Sequence, residues 1–310
     1  MKWTAAQLPV LTGRTAVVTG ANSGIGLVTA RELAAHGARV ILAVRDLERG
    51  RQAANRIRSA APAAELEVAH LDLSSMTSVR TFVDERTEPV DLLINNAGVM
   101  APPKRLTTED GFELQFGTNH LGHFVLTGML LPRLLQTPHP RVVTVASVAH
   151  HGGTAEVVDA NPATERYDPQ RTYSQSKLAN VLFALELQRQ AEARDLKLES
   201  VAAHPGVSAT GLVPDPQGMG SSRFVRSLAP LFLRLVLQSA TAGARAVLYA
   251  ATEADAGTYT GPGRFGETRG PIGTARLSTV AQDEKLGRRL WQVSEDITGF
   301  HYPWPESTGP

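Results

Sequence analysis

Residues 15 to 44 constrain this chain more than any other stretch. Thr15-Ala16-Val17-Val18-Thr19 is a short apolar, β-branched run and reads as a buried strand. Gly20-Ala21-Asn22-Ser23-Gly24-Ile25-Gly26 follows at once, and Leu27 to His36 then has helical spacing up to Gly37. Val40-Ile41-Leu42-Ala43-Val44 is the next buried strand. A strand, a glycine turn, a helix and a second strand make one βαβ unit, which forces the two strands parallel. At such a turn, glycines let backbone approach a pyrophosphate, and the helix N-terminus offers unpaired N–H groups and a positive dipole end. The spacing is Gly-x-x-x-Gly-x-Gly, and its position between strand and helix favours dinucleotide binding over a ligand-free tight turn.

The alternation continues along the chain. Helices are expected over Leu47 to Ala60, Ser75 to Glu85, Gly111 to Leu135, Tyr173 to Ala193 and Ala281 to Ile297, with Trp291 covering the sheet edge. Strands are expected at Leu66 to His70, Leu92 to Ile94, Val142 to Val145 and Leu198 to Ala203. This pattern predicts an α/β chain with a doubly wound Rossmann fold, in a single domain over residues 1 to 310. Val207 to Ala240 starts rich in Pro, Gly and Ser and carries Phe224, Leu228, Leu231 and Phe232. It reads as an apolar substrate loop or lid.

Composition narrows the function. A net charge of +1 gives no electrostatic case for nucleic acid. The absence of cysteine excludes disulfides, thiolate metal sites and a cysteine nucleophile, and fits a cytoplasmic protein. The N-terminus lacks a signal-peptide core, and no apolar run is long enough for an integral membrane segment. Ser227 to Leu237 is the nearest candidate for membrane contact, but it is short and carries Arg234.

The chemistry-bearing residues sit at strand ends and on one helix. Tyr173 and Lys177 are one helical turn apart, so an ammonium can stand beside a phenol and lower its pKa. Alone, that pair is weak evidence. Val44-Arg45 ends the second strand, where an acidic residue would favour NAD. An apolar residue followed by a cation suits the 2′-phosphate of NADP(H). Leu71-Asp72-Leu73 and Asn95-Asn96-Ala97-Gly98 end the third and fourth strands, at the crevice side of an open α/β sheet. His120 and His123 have a spacing that could bind a metal, but no third ligand can be placed, so no metal is expected. His150 and His151 adjoin the catalytic strand, either lining the pocket or lying exposed in a loop.

Taken in order, Thr19-Gly20-Ala21-Asn22-Ser23-Gly24-Ile25-Gly26, Asn95-Asn96-Ala97-Gly98, Asn119, Ser147, Tyr173-x-x-x-Lys177 and Pro205-Gly206 resemble the short-chain dehydrogenase/reductases, from about Thr12 to Tyr302. Ala43-Val44-Arg45-Asp46, Leu71-Asp72-Leu73-Ser74-Ser75, Asp110-Gly111-Phe112-Glu113 and Asn119-His120-Leu121-Gly122-His123-Phe124 resemble the branch of retinol dehydrogenases, WW-domain oxidoreductases and protochlorophyllide reductases. The resemblance implies a sheet of seven parallel strands and a hydride transfer between NADP(H) and the carbonyl or hydroxyl of a small apolar substrate. It implies Tyr173 as acid/base, Lys177 lowering its pKa and holding the nicotinamide ribose, and Ser147 on the substrate oxygen. Asn119 would hold a relay water, with Pro205, Gly206, Val207 and Thr210 beside the nicotinamide. The glycine-turn residues Gly20, Asn22, Ser23, Gly24, Ile25 and Gly26, with Arg45, Asp72, Leu73, Asn96, Ala97 and Gly98, would complete the cofactor site. His120 and His123 become packing or hydrogen-bonding residues.

The chain departs from the commonest pattern in the long segment His150 to Thr172 between Ser147 and Tyr173. It is expected at the substrate mouth, where it would disturb tetramer packing and leave a homodimer as the allowed assembly. Retinol-type members often begin with a membrane anchor, which is not seen here and weakens retinol itself as substrate. A light-driven enzyme of the protochlorophyllide reductase type is disfavoured, since those typically use a cysteine. The rival from another class is a catalytically silent NADP-binding sensor or scaffold, which would have no need of Tyr173.

Overall fold

The computed structural model describes residues 3–159, 167–206 and 239–305. Its centre is one eight-stranded sheet in the order β3-β2-β1-β4-β5-β6-β7-β8. The strands are β1 Thr15–Thr19, β2 Arg39–Val44, β3 Leu66–His70, β4 Leu92–Asn95, β5 Arg141–Val145, β6 Glu199–Ala203, β7 Tyr259–Arg264 and β8 Arg269–Thr274. β1 to β7 pair in parallel throughout. β8 returns antiparallel to β7. The expectation of seven strands is therefore corrected to eight. β8 reads Arg-Gly-Pro-Ile-Gly-Thr, with no apolar run to mark it. β8 is the edge strand, where a proline such as Pro271 is tolerated.

The helices are α1 Gly24–Ala35, α2 Leu47–Ala60, α3 Met76–Asp84, α5 Pro169–Glu192, α6 Ala240–Thr252 and α7 Glu284–Thr298. Between α3 and α5 lies α4, in which Leu114–Phe116, a π-helical turn Gly117–Leu121 and Gly122–Leu134 follow without a break. Starts are set by side-chain caps. Asp46 accepts from the Arg49 amide, Ser75 from the Ser78 amide, and Asp168 from the Gln170 and Arg171 amides. Asp168 followed by Pro169 starts α5 four residues before Tyr173, so the tyrosine is held on an established helix rather than at a frayed end.

Alternate residues of each strand feed two cores. Val17, Ile41, Leu93 and Val142 face a cluster with Phe82, Phe124, Leu182 and Trp291, while Val18, Leu42, Ile94 and Val143 face one with Leu33, Ile57 and Val247. Helices thus cover both faces, as a buried parallel sheet requires. Trp291 does not cover the sheet edge. Its ring lies 5.0 Å from Phe124 on α4 and 6.0 Å from Phe183 on α5, so α7 packs on the helical layer instead. The expected lid from Val207 lies outside the described residues up to 238, as does the Ser227–Leu237 segment.

Candidate active site

Strand order reverses between β1 and β4, and the candidate residues gather at the carboxyl ends of the strands around that point. Gly20 (φ +66°) and Gly24 (φ +56°) are left-handed, a region that suits glycine. A Cβ on Gly26 would stand 2.5 Å from Asn96 Nδ2 and 2.6 Å from the Gly20 carbonyl. The turn is therefore bare backbone. Ser23 precedes α1 without a side-chain cap bond, which leaves the first-turn amides to a ligand. Bare backbone and an uncapped helix start fit a pyrophosphate.

Thr19 and Asn96 hold this turn to β4. Asn96 Nδ2 donates to the Thr19 carbonyl at 2.8 Å. The amides of Asn96 and Ala97 each donate to Thr19 Oγ1 at 2.9 Å. Gly98 completes the contact, since a Cβ there would lie 3.1 Å from Asn119 Oδ1 and 3.6 Å from Lys177 Nζ. Asn95, by contrast, is buried and donates to Thr127, so it is structural.

Asn119 lies in the π-helical turn. Its side chain accepts from the Val99 amide at 2.8 Å and donates to the Val99 carbonyl and to Ser176 Oγ, both at 3.0 Å. His123 Nδ1 is 3.0 Å from the Asn119 carbonyl, which can only accept, so that nitrogen carries the proton. His123 Nε2 then accepts from Thr19 Oγ1 at 2.9 Å. His120 is bonded to Ser294 at 2.8 Å through Nε2. Both histidines are hydrogen-bonding residues, as the family motif implies. Burial holds them neutral, His120 at about 3 and His123 at about 4.

Tyr173 and Lys177 are both buried on α5, and Ser147 stands beside the Tyr173 hydroxyl. Lys177 Nζ donates to the Val145 carbonyl at 3.0 Å and lies 5.8 Å from the centre of the tyrosine ring. Burial is the largest influence on Tyr173 and pushes it up to about 12, with Ser147 opposing it. The ammonium is directed at a backbone carbonyl, and burial brings it down to about 8.

The remaining cofactor candidates divide. Asp72 accepts from the Ser74 amide and hydroxyl at 2.9 and 2.6 Å, which fixes its carboxylate at the end of β3. Leu73 is buried against Gly122. Arg45 is exposed at the end of β2. Val44 is buried, and its Cγ2 would lie 2.6 Å from a Cβ on Gly50. Its side chain therefore packs against α2. Pro205 and Gly206 (φ +69°) follow β6. Val207 and Thr210 lie outside the described residues.

His150 is neither pocket lining nor an exposed loop residue. It is fully buried and bonded to the Ser147 carbonyl, while His151 is exposed. One further contributor escapes sequence reasoning. The Thr19 hydroxyl acts through contacts with Asn96, Ala97 and His123, which lie 77, 78 and 104 positions away. Its only sequence signal is membership in the motif that carries Gly20.

The chain matches the family model for short chain dehydrogenases over residues 14–217. It is 41% identical to human retinol dehydrogenase 13 over 295 residues, 94% of this chain and 86% of that one. It is also 41% identical to mouse polyprenol dehydrogenase over 304 residues, with 94% and 86% covered. An uncharacterised protein from Mycobacterium paratuberculosis has a similar crystal structure, with a TM-score of 0.82 at 44% identity over 98% of this chain and 100% of that one. The glycine turn at the switch point, the Ser147–Tyr173–Lys177 cluster and these likenesses agree. The chain belongs to the short-chain dehydrogenase/reductase family, in its retinol dehydrogenase-like branch, and is an NAD(P)-dependent oxidoreductase acting on alcohols and carbonyls.

Proposed function

We propose that the protein is an NADP-dependent reductase of small apolar carbonyl compounds, with Tyr173 as the proton donor. The observation that carries this is the buried Tyr173 hydroxyl beside Ser147 and the Lys177 ammonium, at the carboxyl end of β5 and two strands from the glycine turn. When bound, the dinucleotide supplies or takes the hydride. The chain's own residues do the rest. Negative charge developing on the substrate oxygen is held by the Ser147 hydroxyl and neutralised by a proton from Tyr173 Oη. A phenol whose pKa is about 12 keeps its proton at neutral pH, which suits a general acid for reduction. Lys177 sets a positive potential behind the phenol, and Asn119 ties the π-helical turn to the Gly98–Val99 backbone. The likeness to a retinol dehydrogenase and a polyprenol dehydrogenase supports an apolar alcohol or aldehyde. A single domain, a homodimer and a cytoplasmic location belong to the same reading.

The cofactor assignment rests on Arg45. A guanidinium at the end of β2 meets a 2′-phosphate with a charge-assisted bond of roughly 1.5–3 kcal/mol, trimmed by solvent toward the lower figure. That is about tenfold in affinity. Arg45 carries the test alone, because a carboxylate at Val44 would be buried against Gly50. Steady-state kinetics with decanal should give a kcat/KM for NADPH at least about tenfold above NADH, and Arg45→Glu should reverse the order. Equal use of both cofactors by the wild type would refute the NADP assignment.

A further inference from the structure

Behind the site, two buried histidines join active-site turns to the chain beyond β6, His204 to the β7–β8 hairpin and His150 to Ser278 just after it. His150 Nδ1 is 2.9 Å from the Ser147 carbonyl, so this nitrogen donates. Its Nε2 accepts from the Ser278 amide at 3.2 Å. His204 has the opposite tautomer. Its Nδ1 accepts from the Gly206 amide at 3.2 Å, which places the proton of the neutral ring on Nε2. That nitrogen has no hydrogen-bond partner among the described residues and lies 3.6 Å from Glu267 Oε2, a buried carboxylate oxygen in the same condition. Tyr259 stands between the two rings, 5.0 Å from each.

Glu267 reaches this position at a cost. It sits in the turn between β7 and β8 with φ +63°, next to Phe265 at φ +52°, both in a region unfavourable to side-chain-bearing residues. Its other oxygen accepts from the Arg276 amide at 2.8 Å. Gly261 on β7 leaves the space that the His204 ring fills. The hairpin lies beyond the part of the chain that matches the family model.

We propose that His204 is a positioning residue for the Pro205-Gly206 turn, that Glu267 fixes its tautomer from the β7–β8 hairpin, and that His150 does the same for Ser147 through Ser278. This rests on the reading that both turns border the cofactor and substrate. A proton added to His204 Nδ1 would face the Gly206 N–H and release the turn. The groups that face His204 are Glu267, Tyr259, His150 and His151. The rings of His150 and His151 lie 4.1 Å apart and tilted by 40°.

The test uses NADPH binding by fluorescence and NADPH-dependent reduction of decanal on the full chain. Glu267→Gln keeps an acceptor for the Nε2 proton. Glu267→Gly removes it while suiting the left-handed backbone. Glu267→Gly should raise the NADPH Kd about tenfold at an unchanged or higher Tm, with Glu267→Gln within about twofold of wild type. His204→Leu should show the same loss, and His204→Asn, whose Oδ1 can accept from the Gly206 amide, should recover most of it. Equal Kd values for the Gln and Gly variants, whether both native or both impaired, would overturn the proposal. A wild type that binds no NADPH would instead overturn the cofactor reading.

Discussion

Lowering the pH should unfold this protein steeply, because four histidines are buried neutral. Burial is the main cause in each case, and it brings His120 and His204 to about 3 and His123 and His150 to about 4, from an ordinary value of 6.5. His123, His150 and His204 are each also committed to a bond that requires a bare nitrogen. The unfolded chain therefore binds more protons than the folded one between pH 6.5 and about 4. Stability is present above 6.5 and is lost as pH falls through that window. Per group, moving from about pH 7 to about pH 5 costs about 2 kcal/mol, hence about 7–8 kcal/mol for the four. That equals the whole stability of many domains. The Glu113 carboxyl, raised by burial, offsets a part of this at the acid end. Urea unfolding at about pH 7, 6 and 5 would read the slope, about four protons per molecule at its steepest. His120→Phe should remove roughly a quarter of it. A stability loss under about 2 kcal/mol across that range would refute the reasoning, since at least three of the four would have to be charged in the fold.

Two other predictions follow from the site. Burial brings the Lys177 ammonium down to about 8, so carbonyl reduction should decline as pH rises through that value, because the positive charge behind the phenol is lost. A pH–rate profile for reduction checks this, and a rate that stays flat through that value would contradict it. Gly26→Ala forces a Cβ into Asn96 Nδ2 and the Gly20 carbonyl and should destabilise by about 1–3 kcal/mol while weakening NADPH binding; both are read from a melting curve with and without cofactor.

Much of this was legible in the sequence because local signals and tertiary demands agree. The run at Thr15–Thr19, the glycine turn and α1 are dictated by burial on both sheet faces and by left-handed backbone, both of which mark residue type. Where a residue's role depends on distant partners, sequence falls short. β8 is stabilised by pairing at an edge and carries no apolar run. α4 contains a π turn that only the Asn119–His123 and Asn119–Val99 contacts explain. The Tyr173–Lys177 spacing places both side chains on one helix, but the upward shift of the phenol comes first from depth of burial, which spacing does not encode. His204 stands beside a legible Pro-Gly pair, yet its purpose depends on a hairpin some sixty residues later in the chain.

The central claim is that Tyr173 delivers the proton, and one substitution tests it most directly. Tyr173→Phe removes the hydroxyl that meets Ser147 and keeps the buried ring. NADPH binding and the rate of decanal reduction should be measured on the same preparations. The account predicts binding within about twofold of wild type and turnover lower by at least about 10²-fold, the scale for loss of a general acid. Turnover within about threefold of wild type, with binding intact, would show that the proton comes from elsewhere.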